Sequence, residues 1–216
     1  MNIIVERFNK IKSNIASLKP IKPINIIAVS KKFSLDHIQP LIDNGHDHFG
    51  ENKVQEAIAK WSEIKSKNQK LKLHMVGKLQ SNKAKNAVEI FDYIHSLDNQ
   101  KLADTLAKSQ NNLNKKLKYF IQVNIGNELQ KAGISVNELD AFYYYCTKEI
   151  KLEILGLMVI PPNDNVSKKY FKSLNELNNS LALKDISMGM SGDYEQAVSC
   201  GATFVRIGSS IFGTRP

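Results

Sequence analysis

Eight short apolar runs, each followed by a segment long enough to wind into a helix, constrain this chain more than any other feature. The runs lie near 25–30 (NIIAVS), 46–50 (HDHFG), 72–77 (KLHMVG), 93–97 (YIHSL), 118–125 (KYFIQVNI), 153–160 (EILGLMVI), 185–190 (DISMGM) and 204–208 (FVRIG). Helical segments are expected at 35–44, interrupted by Pro40, and at 52–66, 82–90, 99–111, 136–149, 166–181 and 193–200. Strict alternation of this kind implies a parallel sheet, and eight units point to an α/β fold closed as a (β/α)8 TIM barrel. A ninth segment precedes the first strand: Ile4, Phe8, Ile11, Ile15 and Leu18 recur at helical spacing. Only eight residues follow the last strand, too few for a full covering helix, so this additional N-terminal helix is expected to fill the gap in the outer layer. Asn52 with Gln55 reads as a capping box, and PPNDN at 161–165 as a loop. No repeat or linker divides the chain, so residues 1–216 are expected to form a single domain.

Hydrophobic residues make up 42% and charged residues 24%, which suits a globular chain and argues against disorder. The N-terminus places Glu6 and Arg7 before any apolar run can build, unlike a secretory leader. The longest apolar stretch, LEILGLMVI at 152–160, is too short to span a bilayer, so a cytoplasmic protein with no membrane association is expected. Cys146 and Cys200 fit neither a disulfide framework nor a metal motif and read as small buried hydrophobes. Net charge is +9, yet it rests on 27 lysines against three arginines, scattered singly and in pairs. Nucleic-acid recognition favours arginine forks and interleaved aromatics, so no nucleic-acid partner is expected.

Barrels of this type carry their sites at the C-terminal ends of the strands, often with phosphate held after strands seven and eight. There stand GMSGD (189–193) and IGSSIFG (207–213), which offer small residues, backbone amides and hydroxyls at loop-to-helix junctions. Arg206 shares a strand face with Phe204 and Gly208, and a charge inside so apolar a run is costly unless paired, which points to a ligand. Lys31 and Lys32 end the first strand, and parity allows only one of them to face inward. A lysine opposite phosphate loops is what Schiff-base chemistry needs, and the combination suggests pyridoxal phosphate with the arginine facing the pyridine nitrogen.

The stretches AVSKK (28–32), FGENKVQE (49–56), HMVGKLQSNK (74–83), GLMVIPP (156–162), SMGMSGDYEQAV (187–198) and VRIGSSIFG (205–213) resemble the pyridoxal phosphate homeostasis proteins. These are single-domain relatives of the alanine racemase barrel, of the type III fold of pyridoxal phosphate proteins. The resemblance implies pyridoxal 5'-phosphate as cofactor, carried by Lys31 as an internal aldimine. It implies that Ser191, Gly192, Gly208 and Ser209 hold the phosphate, that Arg206 faces the pyridine nitrogen, and that Asn52 lines the pocket. An arginine there disfavours a protonated ring nitrogen and weakens the cofactor as an electron sink. This chain departs from the family pattern in the KKFS that follows Val29-Ser30, in Lys53 where a tyrosine is usual, in Gly192 ahead of Asp193, and in Ser209 where a threonine is usual.

The implied role is intracellular vitamin B6 homeostasis and amino-acid balance, with pyridoxal phosphate-dependent apoenzymes as partners, from a monomer without robust catalysis. The alternative is an amino-acid racemase with weak or single-base activity, since the two-base relatives take a tyrosine from an additional β domain. Other residues invite blander readings. His46 and His48 fall on one face of a strand but lack a third ligand, so no metal site is expected. His74 reads as a hydrogen-bonded barrel residue, FYYYC (142–146) as core or interface, and Trp61 as helix-to-barrel packing.

Overall fold

The computed structural model describes residues 2–214 except 129 and 165, so Asn165 of the expected loop and the chain end at Pro216 lie outside the described residues. Eight parallel strands close into a barrel in sequence order: β1 (Asn25–Val29), β2 (His48–Glu51), β3 (Lys72–Met75), β4 (Tyr93–Leu97), β5 (Lys118–Gln122), β6 (Glu153–Met158), β7 (Asp185–Met190) and β8 (Phe204–Ile207). Closure is made by β1 against β8, with Ile27 opposite Arg206 and Ala28 opposite Ile207. Around the barrel run α1 (Ile3–Ser17), α2 (Leu35–Asp43), α3 (Val54–Lys67), α4 (Ala84–Ile90), α5 (Gln100–Asn112), α6 (Leu139–Tyr144), α7 (Ser167–Ser180), α8 (Tyr194–Ser199) and the single turn α9 (Ser209–Phe212). Among the described residues no helix is long and apolar enough to cross a membrane.

Strand alternation divides the apolar residues into two cores. Ile27, Val29, Tyr93, Phe120, Met158 and Phe204 fill the barrel, while Ile26, Ala28, Phe49 and Leu73 face the helices. The N-terminal helix does the expected job. Asn2 caps α1 by accepting from the Ile4 N–H, and Ile4, Phe8, Ile11 and Ile15 are buried where α1 meets α2, α8 and the short α9. At roughly 1.5–3 kcal/mol for each buried side chain, this stripe holds the helix far more strongly than intrinsic propensity could. Leu18 falls just past the helix end and is half exposed.

Four local expectations need correction. Pro40 does not interrupt α2, because Ile38 and Leu41 are completely buried and their packing outweighs the lost backbone bond. The capping box at Asn52 does not form: Lys53 is the N-cap of α3, with no side-chain cap bond. Asn52 is held instead against the segment just after β3, where its backbone oxygen would lie 2.5 Å from a Cβ placed on Gly77. The 136–149 segment is not one α-helix, because a 3₁₀ turn (Val136–Glu138) precedes α6 and a π turn (Tyr145–Glu149) follows it. Finally, His46 and His48 do not share a face. β2 begins only at His48, so His46 lies outside the barrel with its ring 4.5 Å from Phe8 and 5.1 Å from Phe49, whereas His48 packs inside against His74. Cys146 and Cys200 are buried free thiols, and Trp61 packs on Phe49 as expected.

Candidate functional site

A cavity of about 270 Å³ opens at the C-terminal mouth of the barrel, and Lys31, Ser191, Gly192, Arg206, Gly208 and Ser209 all line it. Val29, Val76 and Ile160 supply apolar wall. That volume is near the lower end for small-molecule sites, and apolar walls with a few converging polar groups are their usual make-up. Asn52 is not among the lining residues, but among the described residues its buried Oδ1 has no hydrogen-bond partner.

The choice between the two lysines follows from strand parity carried one step beyond β1. The Ser30 N–H still bonds the Gly50 carbonyl at 2.9 Å, so Lys31 continues the inward face of Ile27 and Val29. The chain then turns, with Phe33 N–H bonding Ser30 O at 3.1 Å, and Lys32 takes a positive φ of 67° and points to solvent. Behind this corner is a buried clamp that the sequence reading missed. The fully buried Glu51 accepts from Ser30 Oγ (2.8 Å), Lys60 Nζ (2.9 Å) and Trp61 Nε1 (3.0 Å), and Lys60 also bonds Ser30 O at 2.9 Å. It pins the residue immediately before Lys31. The only sequence signal was an acidic residue at an outward strand position where an apolar one would be expected.

The wall opposite is made by the loops after β7 and β8. Ser191 Oγ accepts from the Gly208 and Ser210 N–H groups, both at 3.3 Å, so a hydroxyl and two amides converge at one spot. Asp193 shapes the approach by accepting from the Met190 N–H at 2.6 Å. The pairing of β7 with β8 slips between Ser187 and Met190, and Gly189 absorbs the slip with a φ of +90°. Such a bulge re-aims the residues after it, here lifting Met190 outward and bending 191–192 over the cavity.

Arg206 is 4% exposed and, among the described residues, has no carboxylate within ion-pair distance. Its guanidinium donates to Ser187 Oγ (2.8 Å) and the Val159 carbonyl (2.7 Å). Burial lowers its pKa to about 10, so it remains a cation at neutral pH. A buried positive charge facing a cavity through two neutral acceptors suits an anionic or electron-rich ligand.

Fold and cavity together define a (β/α)8 barrel with an amine, a buried guanidinium and a serine hydroxyl met by two backbone amides around one cavity. The family described as "Alanine racemase, N-terminal domain" matches residues 7–216, and this chain belongs to it. It also belongs with the pyridoxal phosphate homeostasis proteins: the one from Pasteurella multocida is 38% identical over 207 residues, covering 91% of this chain and 89% of the relative. PipY of Synechococcus elongatus, solved without pyridoxal phosphate, superposes with a TM-score of 0.88 at 36% identity, covering 98% of this chain and all of PipY. PipY with pyridoxal phosphate bound gives a TM-score of 0.85 over 97% of this chain. An alanine racemase of Clostridium difficile shares the fold at a TM-score of 0.75 and 16% identity, and this chain spans 57% of it.

Proposed function

We propose that this protein binds pyridoxal 5'-phosphate in the barrel-mouth cavity and serves the homeostasis of that cofactor, and with it amino-acid balance, rather than a fast reaction of its own. The observation that carries the reading is that Lys31, Arg206, Ser191 and Gly208 line one cavity. The residues fit the group on three counts: an amine on the inward face, two amides converging on a serine hydroxyl, and a buried cation without a carboxylate. The cofactor supplies an aldehyde that an amine can capture and a phosphate that N–H donors can bind. Lys31 would supply the amine for that aldehyde, with water as the leaving group. Ser191, Gly192, Gly208 and Ser209 hold the phosphate, Arg206 faces the ring nitrogen, and the unpartnered Asn52 Oδ1 serves the same ligand. Residues 1–216 act as one unit, as a cytoplasmic monomer whose partners are apoenzymes that need the cofactor.

Borohydride reduction of the protein supplied with pyridoxal phosphate, followed by peptide mapping, tests this directly. A pyridoxyl group on Lys31 is expected, and it should vanish in Lys31→Ala but not in Lys32→Ala. An adduct on Lys32 in the Lys31→Ala protein would overturn the assignment of the amine, and no adduct on any lysine would overturn covalent binding. Rapid solvent exchange of the Cα hydrogen of added alanine would favour a racemase instead.

A further inference from the structure

Barrel interiors of this type are ordinarily filled with branched apolar side chains, but here a polar row crosses the interior from one end to the other. His48 Nδ1 meets His74 Nε2 at 2.8 Å, His74 Nδ1 meets His95 Nε2 at 2.9 Å, and His95 Nδ1 meets Ser187 Oγ at 2.8 Å. Ser187 Oγ in turn accepts from Arg206 at the cavity. His74, His95 and Ser187 are fully buried. His48 is partly exposed, its Nε2 3.9 Å from the Asp47 carboxylate at the opposite mouth of the barrel. The His74 ring stacks on Tyr93 at 4.2 Å and the His95 ring on Phe120 at 4.4 Å, which fixes both ring planes. These nitrogens point at one another in line and do not converge on a common centre.

Proton counting makes the row directional. Burial holds His74 and His95 well below the usual imidazole range, so both are neutral, with one N–H and one lone pair each. Each contact needs one proton, so His74 and His95 must donate in the same sense. Ser187 sets that sense. Its oxygen already accepts from Arg206, and among the described residues the acceptor its hydroxyl meets is His95 Nδ1. His95 Nε2–H then donates to His74, His74 Nε2–H donates to His48, and His48 Nε2–H points outward. The charges at the two ends agree, because N–H groups directed away from the guanidinium and toward Asp47 lower the energy at both.

We propose that His48, His74, His95 and Ser187 form a positioning row for Arg206: neutral imidazoles, all in the Nε2–H tautomer, turn their acceptor ends toward the guanidinium and hold it fixed against the cavity. The aligned dipoles do the work of the missing carboxylate without neutralising the charge offered to the ligand. The row itself stands independently of the cofactor reading; only its effect on affinity rests on it.

The test begins with long-range ¹H–¹⁵N NMR of the ligand-free protein at neutral pH. His74 and His95 are expected as neutral Nε2–H tautomers, with separate Arg206 Nη–H signals that report a guanidinium unable to rotate. An Nδ1–H tautomer at either histidine overturns the proposal before any variant is made. Replacement His95→Leu should merge the Arg206 Nη–H signals and weaken pyridoxal phosphate binding about tenfold, as expected when a bond to a charged group loses its support. His95→Asn, whose Oδ1 can take the place of Nδ1, should keep those signals separate and affinity within about threefold. Unchanged Arg206 signals in His95→Leu would also overturn it. Failure of the wild-type protein to bind pyridoxal phosphate would sink the cofactor reading alone, leaving the tautomers to decide the row.

Discussion

Two adjacent lysines meet different surroundings because one backbone bond, from Ser30 N–H to Gly50 O, carries strand parity past the end of β1. Parity told from the sequence that only one of them faces inward; it is the turn at Lys32 that sends that residue to solvent. At Ser191 the case is simpler, because its hydroxyl is the meeting point of the Gly208 and Ser210 amides. Ser191→Ala should weaken pyridoxal phosphate about tenfold, the worth of one charge-assisted hydrogen bond, and leave pyridoxal, which lacks the phosphate, unchanged. Parallel titrations of the two compounds would check this, and equal losses for both would place Ser191 away from the phosphate. Ser191, Gly192, Arg206, Gly208 and Ser209 were legible as cavity lining because Gly, Ser and a stray Arg at the ends of strands seven and eight stand out against apolar runs. His74 was legible as a hydrogen-bonded barrel residue, and it is one; its partners His48 and His95 were not, since each looks like an ordinary strand residue until the facing strands are known.

At the scale of elements, β2 with α3 and β7 with α8 position the two walls. The Glu51–Lys60 pair joins β2 to α3 with the carboxylate fully buried, so removing the cation leaves it with only the neutral donors Ser30 and Trp61. Lys60→Met should cost about 3 kcal/mol, and Glu51→Gln with Lys60→Met should recover much of it; denaturant unfolding of the three proteins measures both. On the other wall, a Cβ at Gly189 would lie 2.5 Å from that of Ala197, in a backbone conformation at φ +90° that L residues rarely adopt. Gly189→Ala should therefore cost about 2 kcal/mol or more, lowering the melting temperature by roughly 4–8 °C, and should loosen ligand binding as the 191–192 loop shifts. Element positions were legible because hydrophobic period survives in a single sequence. Pro40 and the failed cap at Asn52 were not, because in each a tertiary contact overrides a local preference; the 3₁₀ and π turns at 136–149 leave the hydrophobic period of a helix in place and so were not legible either.

The whole molecule carries an acid sensitivity that follows from its buried imidazoles. Burial lowers the His46 pKa to about 4 from an ordinary 6.5, while His48, His74 and His95 are also lowered by burial. Below pH 6.5 the unfolded chain binds protons that the folded chain refuses, so stability falls as pH drops from 6.5 toward 4 and is retained above 6.5. His46 alone accounts for up to about 3 kcal/mol of that loss, and His46→Phe should flatten the slope of unfolding free energy against pH in this window. A slope unchanged in that variant would mean the other imidazoles dominate. The sequence by itself determined the alternation of eight strands with helices, the parity that lets only one of Lys31 and Lys32 face inward, and the small hydroxyl-bearing loops after strands seven and eight, because these depend on periodicity and local chemistry along one stretch of chain. Only the tertiary structure decided which side chains meet across the barrel. Glu51 finds Lys60 through the docking of α3, and His95 on β4 reaches Ser187 on β7 because closure brings strands far apart in order face to face.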